Sequence, residues 1–198
     1  MNQTSQLDPI PLPSSIAEAL TPLKVAVVAA SWHQEIVSAS TNGIQSEFDR
    51  QGCPPDCLEL HQVPGAFEIP LFAMRLARTG RYDAIIACGL VVNGGIYRHE
   101  FVAAAVIDGL MRVQLDTDTP IFSAVLTPRD FHEHEEHQAF FKAHFFKKGV
   151  EVAQACLNTY REVFSDPLKS GDDNSFTGNV ILPLDFSLEM DGLSGIIP

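Results

Sequence analysis

The sequence predicts an α/β fold with a central four-stranded parallel sheet and helices on both faces. Two observations carry this expectation. Short continuous apolar runs, such as residues 24–30 (KVAVVAA) and 82–90 (YDAIIACGL), have the pattern of strands buried on both faces. Between such runs lie longer stretches with apolar residues at helical spacing. Strand and helix therefore alternate four times, which is the order that builds a parallel sheet through crossovers.

Each element has its own signal. Residues 1–22 carry Pro9, Pro11, Pro13 and Pro22 among polar neighbours and read as an arm, with room for one helical turn over 15–20. The first strand, 24–30, stops at Ser31-Trp32-His33. A helix is expected over 34–51 from the spacing of Ile36, Val37, Ile44 and Phe48, with Gly52 and Pro54 ending it. Residues 57–63 form the second strand and Pro64-Gly65-Ala66 a turn. Residues 67–79 (FEIPLFAMRLART) form an amphipathic helix that tolerates Pro70 near its start and is capped by Gly80. The third strand covers 82–90 and runs on to Val92, where Asn93-Gly94-Gly95 breaks it. A helix over 100–116, a strand over 120–126 (PIFSAVL) and, past a histidine-rich loop, a helix over 138–164 complete a domain of residues 23–164. Residues 165–198 form an acidic tail of different composition. It is either a tether leading to a docking segment at 180–186 (VILPLDF) or disordered throughout.

The 198-residue chain is 45% apolar, enough to bury a core, and carries a net charge of −12. Such a balance argues against nucleic acid, whose phosphates call for a basic face. It leaves room for a small anionic substrate held by a few local donors. No apolar run approaches the roughly 18 residues of a membrane helix. The first residues are polar and proline-rich rather than basic then apolar, so no secretory leader is expected. The four cysteines, Cys53, Cys57, Cys88 and Cys156, are expected to be reduced and the protein cytoplasmic. Cys53 and Cys57 flank a Pro-Pro-Asp loop, but no second pair with zinc-like spacing follows.

In a doubly wound sheet, ligands bind beyond the carboxyl ends of the strands. That rule selects the loops at 31–33, 64–68, 90–99 and 127–137. Trp32, the single tryptophan, either packs in a core or interface or stacks on a flat heterocycle at the mouth of the sheet. Pro64-Gly65 forces a tight turn whose free N–H groups can meet polar ligand atoms. Glu68, in the first helical turn, either accepts from sugar hydroxyls or complements the helix dipole. Asn93-Gly94-Gly95 ahead of a helix makes an anion cradle; Arg98 adds a positive fork, and His99 a group that exchanges protons near neutral pH. The run from His132 to His137 has metal-ligand types, but no matching ligand elsewhere, and reads as a solvated loop. Lys142, His144, Lys147 and Lys148 form a local basic island, either an exposed helix face or a phosphate site.

Taken together, VPGAFEIP (63–70), ARTGRYDAIIACG (77–89), VLT (125–127) and KKGVE (147–151) resemble the lumazine synthase family, in order and spacing, from about residue 24 to about residue 157. NGGIYRHEFVA (93–103) and FHEHEEHQAFFKAHF (131–145) resemble its type II branch. The resemblance implies a three-layer flavodoxin-like sandwich. It implies a transferase of riboflavin biosynthesis that condenses 5-amino-6-(D-ribitylamino)uracil with 3,4-dihydroxy-2-butanone 4-phosphate to 6,7-dimethyl-8-ribityllumazine, with no cofactor and no metal. It implies a homo-oligomer built of pentamers, in the type II branch a decamer, with each site between neighbouring subunits.

Carried over by position, Trp32 stacks on the pyrimidine ring, and Gly65, Ala66, Phe67 and Glu68 hold the ribityl chain. Leu90, Val91 and Val92 line the ring pocket. Ser123 falls where the family usually lends an aromatic residue to the neighbour's site. Gly94, Gly95 and Ile96 cradle the phosphate. The usual histidine aligns without gaps on Arg98. Either a one-residue shift makes His99 the proton shuttle, or Arg98 acts as its electrostatic partner. No arginine occupies the region of the usual phosphate clamp, which leaves His137, Lys142, His144 or Lys148 for that role. Two other readings use the same scaffold: an oxidoreductase holding a flavin phosphate at 93–97, and a catalytically weak flavin- or lumazine-binding or shell protein.

Overall fold

The computed structural model describes residues 23–93, 96, 98–129, 131 and 134–164. The expected arm at 1–22, the tail at 165–198, Gly94, Gly95, His132 and Glu133 lie outside the described residues. Four strands, β1 (Val25–Ala30), β2 (Leu58–Val63), β3 (Ala84–Leu90) and β4 (Ile121–Leu126), form one sheet in the order β2-β1-β3-β4. All three pairings are parallel. Four helices alternate with them: α1 (Gln34–Arg50), α2 (Ile69–Ala77), α3 (His99–Thr117) and α4 (Glu135–Phe164).

Position in the sheet explains each strand's composition. The central strands β1 and β3 are buried along their whole length, which is why they read as unbroken apolar runs. The edge strands β2 and β4 keep exposed residues such as Glu59, Leu60 and Ser123. Because side chains alternate across a strand, Val25, Val27 and Ala29 enter one core and Ala26, Val28 and Ala30 the other. The first core is completed by α1 and α4 through Ile44, Phe48, Phe145 and Leu157. The second is completed by α2 and α3 through Ile69, Ala73, Val106 and Leu110. This is the three-layer flavodoxin-like arrangement.

The outer pair, α1 and α4, pack backbone to backbone. A Cβ on Gly149 would lie 2.0 Å from the Ser40 carbonyl oxygen, and one on Gly43 would lie 2.2 Å from that of Phe146. Only glycine fits such an approach.

Element boundaries depart from the sequence expectation in three places. The helix expected from Phe67 begins as one tighter 3-10 turn, Ala66–Glu68, and becomes α-helical at Ile69. The cause is local: the Glu68 carboxylate turns back to accept the Gly65 N–H at 2.9 Å. Tyr82 and Asp83 precede β3 rather than belong to it, since Asp83 bonds Lys24 twice, N–H to carbonyl and carboxylate to N–H, each at 2.8 Å. The last helix starts at Glu135, earlier than Gln138, with an acidic residue at its amino end where the helix dipole favours it. Gly52 and Gly80 both adopt positive φ, 74° and 64°, as they lead the chain out of α1 and α2.

Candidate active site

Strand order reverses between β1 and β3. The chain leaves β1 for β2 on one side and returns to β3 on the other, so a crevice opens beyond their carboxyl ends. A cavity of about 340 Å³ lies there. Its floor is Leu90, the last residue of β3, and Val91 and Val92, which follow it. One wall is Trp32, at the end of β1, and the next is Ala66 and Phe67 from the 3-10 turn. The third wall is the start of α3, with Arg98, His99 and Val102.

The walls are fixed from behind. The Ser31 N–H donates to the Val63 carbonyl at 2.8 Å and the Trp32 N–H to the Pro64 carbonyl at 3.1 Å, which ties the loop after β1 to the loop after β2. The Trp32 ring edge lies over Gly65, where a Cβ would stand 3.0 Å from Cε3. Trp32 is 67% exposed and Phe67 62% exposed, large apolar surfaces left facing solvent at the mouth. His33 adopts the left-handed conformation, φ 55°, at the start of α1. That bend separates the outward Trp32 from the inward Ile36 and Val37.

The polar groups sit at one end. His99 is the first residue of α3, and its side chain is 16% exposed, with Nδ1 3.6 Å from Glu100 Oε2. Arg98 precedes it, with its guanidinium 5.5 Å from the centre of the Phe101 ring. Arg98 and His99 both line the cavity, so the two alternative proton-shuttle residues occupy one wall. Glu68 is exposed and spends one oxygen on Gly65; a carboxylate holds further acceptor capacity for a ligand hydroxyl.

Other candidates lie elsewhere. Ser123 is exposed on the edge strand β4, and its Oγ accepts the Val125 N–H at 3.2 Å. His137 packs edge-on against Phe141, ring centres 5.9 Å apart. His144 stacks on Phe140 at 5.8 Å; burial, aided by Lys148 and Lys147, pushes its pKa down. Lys148 bonds Glu151 at 2.6 Å and Lys142 bonds Glu35 at 2.5 Å, so the basic island is largely paired within the chain. None of Ser123, His137, Lys142, His144 or Lys148 lines the cavity of its own chain. Ile96, in the loop of the expected phosphate cradle, is 83% exposed, and Gly94 and Gly95 lie outside the described residues.

Two lining residues, His33 and Val102, were not singled out from the sequence. His33 adjoins Trp32, and Val102 is one turn beyond His99 on the same helix, so helical spacing pointed to it. Among the described residues, no group of three or more His, Cys, Asp or Glu is placed to hold a metal ion. No described helix is long and apolar enough to cross a membrane.

A crevice at a topological switch point, with an apolar floor, an indole wall and an Arg-His pair, defines an α/β protein with a candidate ligand site at the carboxyl ends of its strands. Comparison with known proteins sharpens that class. The family model of 6,7-dimethyl-8-ribityllumazine synthase matches residues 22–163. A 6,7-dimethyl-8-ribityllumazine synthase of Rhodococcus erythropolis is 56% identical over 144 residues, covering 73% of this chain and 93% of the relative. Proteins named 6,7-dimethyl-8-ribityllumazine synthase 2 are 51% identical in Pseudomonas syringae pv. tomato, over 72% of this chain and 84% of the relative, and 54% identical in Bradyrhizobium diazoefficiens, over 70% and 82%. The chain belongs to the 6,7-dimethyl-8-ribityllumazine synthase family.

Proposed function

We propose that this chain condenses 5-amino-6-(D-ribitylamino)uracil with 3,4-dihydroxy-2-butanone 4-phosphate, releasing phosphate and water and forming 6,7-dimethyl-8-ribityllumazine. The observation that carries this reading is the gathering of Trp32, Ala66, Phe67, Val91, Val92 and His99 around one cavity. Trp32 stacks on the pyrimidine, whose edge meets backbone groups of Val91 and Val92. The ribityl chain runs along Gly65–Phe67, with Glu68 accepting from a hydroxyl. The phosphate sits on the loop of Gly94, Gly95 and Ile96, at the amino end of α3, where helix N–H groups favour an anion.

The chemistry asks for few strong catalysts. The amine of the pyrimidine attacks the butanone carbonyl and water leaves as the imine forms; phosphate is then eliminated, and the ribitylamino nitrogen attacks the remaining carbonyl and expels a second water as the ring closes. Holding both substrates in line supplies about 7–11 kcal/mol of the barrier. One acid–base group adds roughly 10²–10⁴-fold. His99 moves the protons, and the Arg98 guanidinium beside it favours the negative charge that leaves with phosphate.

The relatives named synthase 2 support placement in the type II branch. An oligomer with sites between subunits, a decamer of two pentamers, is supported by two features. The exposed face of α3 carries Phe101, Ile107, Met111 and Leu115, a stripe of large apolar side chains. Ser123, His144 and Lys148 lie outside their own chain's cavity, and in such an oligomer they would be free to serve a neighbour's site. Four free thiols fit a reducing, cytoplasmic setting.

A turnover assay tests the activity. Purified protein with both substrates should raise lumazine absorbance and fluorescence above the uncatalysed rate. Tight lumazine binding without turnover would mean that the scaffold serves binding alone.

A further inference from the structure

The first turn of α3 sends its side chains to different partners. Glu100 turns to its neighbour, with Oε2 3.6 Å from His99 Nδ1. Val102 lines the cavity. Phe101 does neither: it is 66% exposed, and the Arg98 guanidinium lies over its ring, 5.5 Å from the centre. The backbone sets this pairing. The Phe101 N–H donates to the Arg98 carbonyl at 3.3 Å, which places the two residues one turn apart, the spacing at which side chains meet. Arg98 stands just outside the helix, with φ −78° and ψ 89°.

The charge of Arg98 is unspent. Arg50, Arg81 and Arg112 each pair with a carboxylate, of Glu47, Glu59 and Asp116 respectively. Among the described residues no carboxylate pairs with Arg98, although the chain carries a net charge of −12. The nearest acidic residue in sequence, Glu100, faces His99 instead.

We propose that Phe101 is a positioning residue: its ring is a shelf that holds the Arg98 guanidinium at the cavity wall, ready for the phosphate of the butanone substrate. The role rests on the synthase reading of the cavity. A carboxylate in the same place would also hold the guanidinium, but it would offset the charge and occupy the N–H groups. An aromatic face attracts the cation through its quadrupole and leaves the planar fork of donors open. Arg98 lines the cavity and Phe101 does not, so the ring acts through the arginine rather than on the substrate.

The full-length protein is compared with Phe101→Leu, Phe101→Tyr, Arg98→Gln and the double variant Arg98→Gln with Phe101→Leu. In steady-state kinetics, Phe101→Leu should raise KM for the phosphorylated substrate about two- to fivefold, the scale of an exposed cation–π contact. KM for the pyrimidine should stay the same. Phe101→Tyr keeps a ring and should keep the original value. In the Arg98→Gln background Phe101→Leu should add nothing, because the ring then has no cation to hold. A merely structural ring would raise both KM values or act without Arg98. Either result overturns the proposal, as does an unchanged KM in Phe101→Leu. Calorimetric titration with inorganic phosphate needs no turnover, and Phe101→Leu should bind it about two- to fivefold more weakly than the unaltered chain. That order of phosphate affinities in a protein without turnover would overturn the synthase reading and leave the shelf standing. Turnover with equal phosphate affinities would overturn the shelf alone.

Discussion

Trp32 lies across the bare backbone of Gly65: a methyl group there would stand 3.0 Å from Cε3, 3.1 Å from Cζ3 and 3.1 Å from the Glu68 carboxylate. The glycine φ is −136°, ordinary extended backbone, so the constraint is space rather than conformation. Gly65→Ala should push the indole or the carboxylate aside by a few tenths of an ångström. Overpacking of this kind costs about 1–3 kcal/mol, felt here at the site. KM for the pyrimidine substrate should rise with little change in kcat, and steady-state kinetics will show it. An unchanged KM would mean that Trp32 does not set the pyrimidine's position.

Trp32 is the single tryptophan in the chain, so its emission reports the cavity directly. Pyrimidine or lumazine binding should quench it. Trp32→Ala should weaken pyrimidine binding by about 1–3 kcal/mol, on the scale of base–aromatic stacking, and Trp32→Phe by less. Calorimetric titration of the variants checks both. Equal affinity in all three would remove the stacking role.

His99→Ala should lower kcat by roughly 10²–10⁴-fold, the range of a single acid–base group, while lumazine affinity changes little. Arg98→Gln should act more on the phosphorylated substrate. If His99→Ala keeps full turnover and Arg98→Gln loses it, the proton shuttle is at Arg98's end of the wall and the roles are reversed.

Gly149→Ala tests the helix pair. The added methyl meets the Ser40 backbone at 2.0 Å, and backbone cannot swing away as a side chain can. The loss should exceed the usual single-substitution effect of about 0.5–3 kcal/mol. Denaturant titration, with midpoint and slope read separately, measures it. A drop smaller than this would mean α1 and α4 separate at little cost.

Acid should destabilise the fold in two stages. Burial lowers the pKa of His144, so the unfolded chain binds its proton more readily; that contribution is full above about pH 6.5 and is lost as pH falls below it. Glu47 is also lowered: burial opposes this, but bonds from Arg50 and Gln51 outweigh it. Its contribution is full above the usual carboxylate value, about 4.3, and is lost as pH falls through the lower folded value. Melting temperature should therefore be flat just above neutrality, decline gently as pH falls from about 6.5 and fall more steeply in the carboxylate range. His144→Phe should remove the first stage alone.

Much of the fold was legible because the sheet is buried. β1 and β3, covered on both faces, have no choice but continuous apolar sequence, and Ile36, Val37, Ile44 and Phe48 mark the inward face of α1 without ambiguity. The cavity was legible through the rule for strand ends, which put Trp32, Ala66, Val91 and His99 on one list before geometry joined them. Pairing escaped the sequence reading. Lys142 finds Glu35 from the other end of the domain, a contact no local pattern encodes. The backbone contact at Gly43 and Gly149 escaped too, because a glycine inside a helix has no side chain to betray its partner. The 3-10 turn at Ala66–Glu68 depends on one carboxylate rotamer, which propensity does not fix.

The union of α1 with α4 also bears on synthesis. Lys142 and Glu35 are 107 residues apart. At about 5–20 residues per second, α1 leaves the ribosome on the order of 5–20 s before its partner. Throughout that interval the nascent chain shows the translation machinery and its attendant chaperones an uncapped apolar surface at Ile44 and Phe48. The length of chain between the two helices makes this close-packed seam the last to close, so the yield of protein in a cell depends on how well the half-made sheet is shielded while it waits.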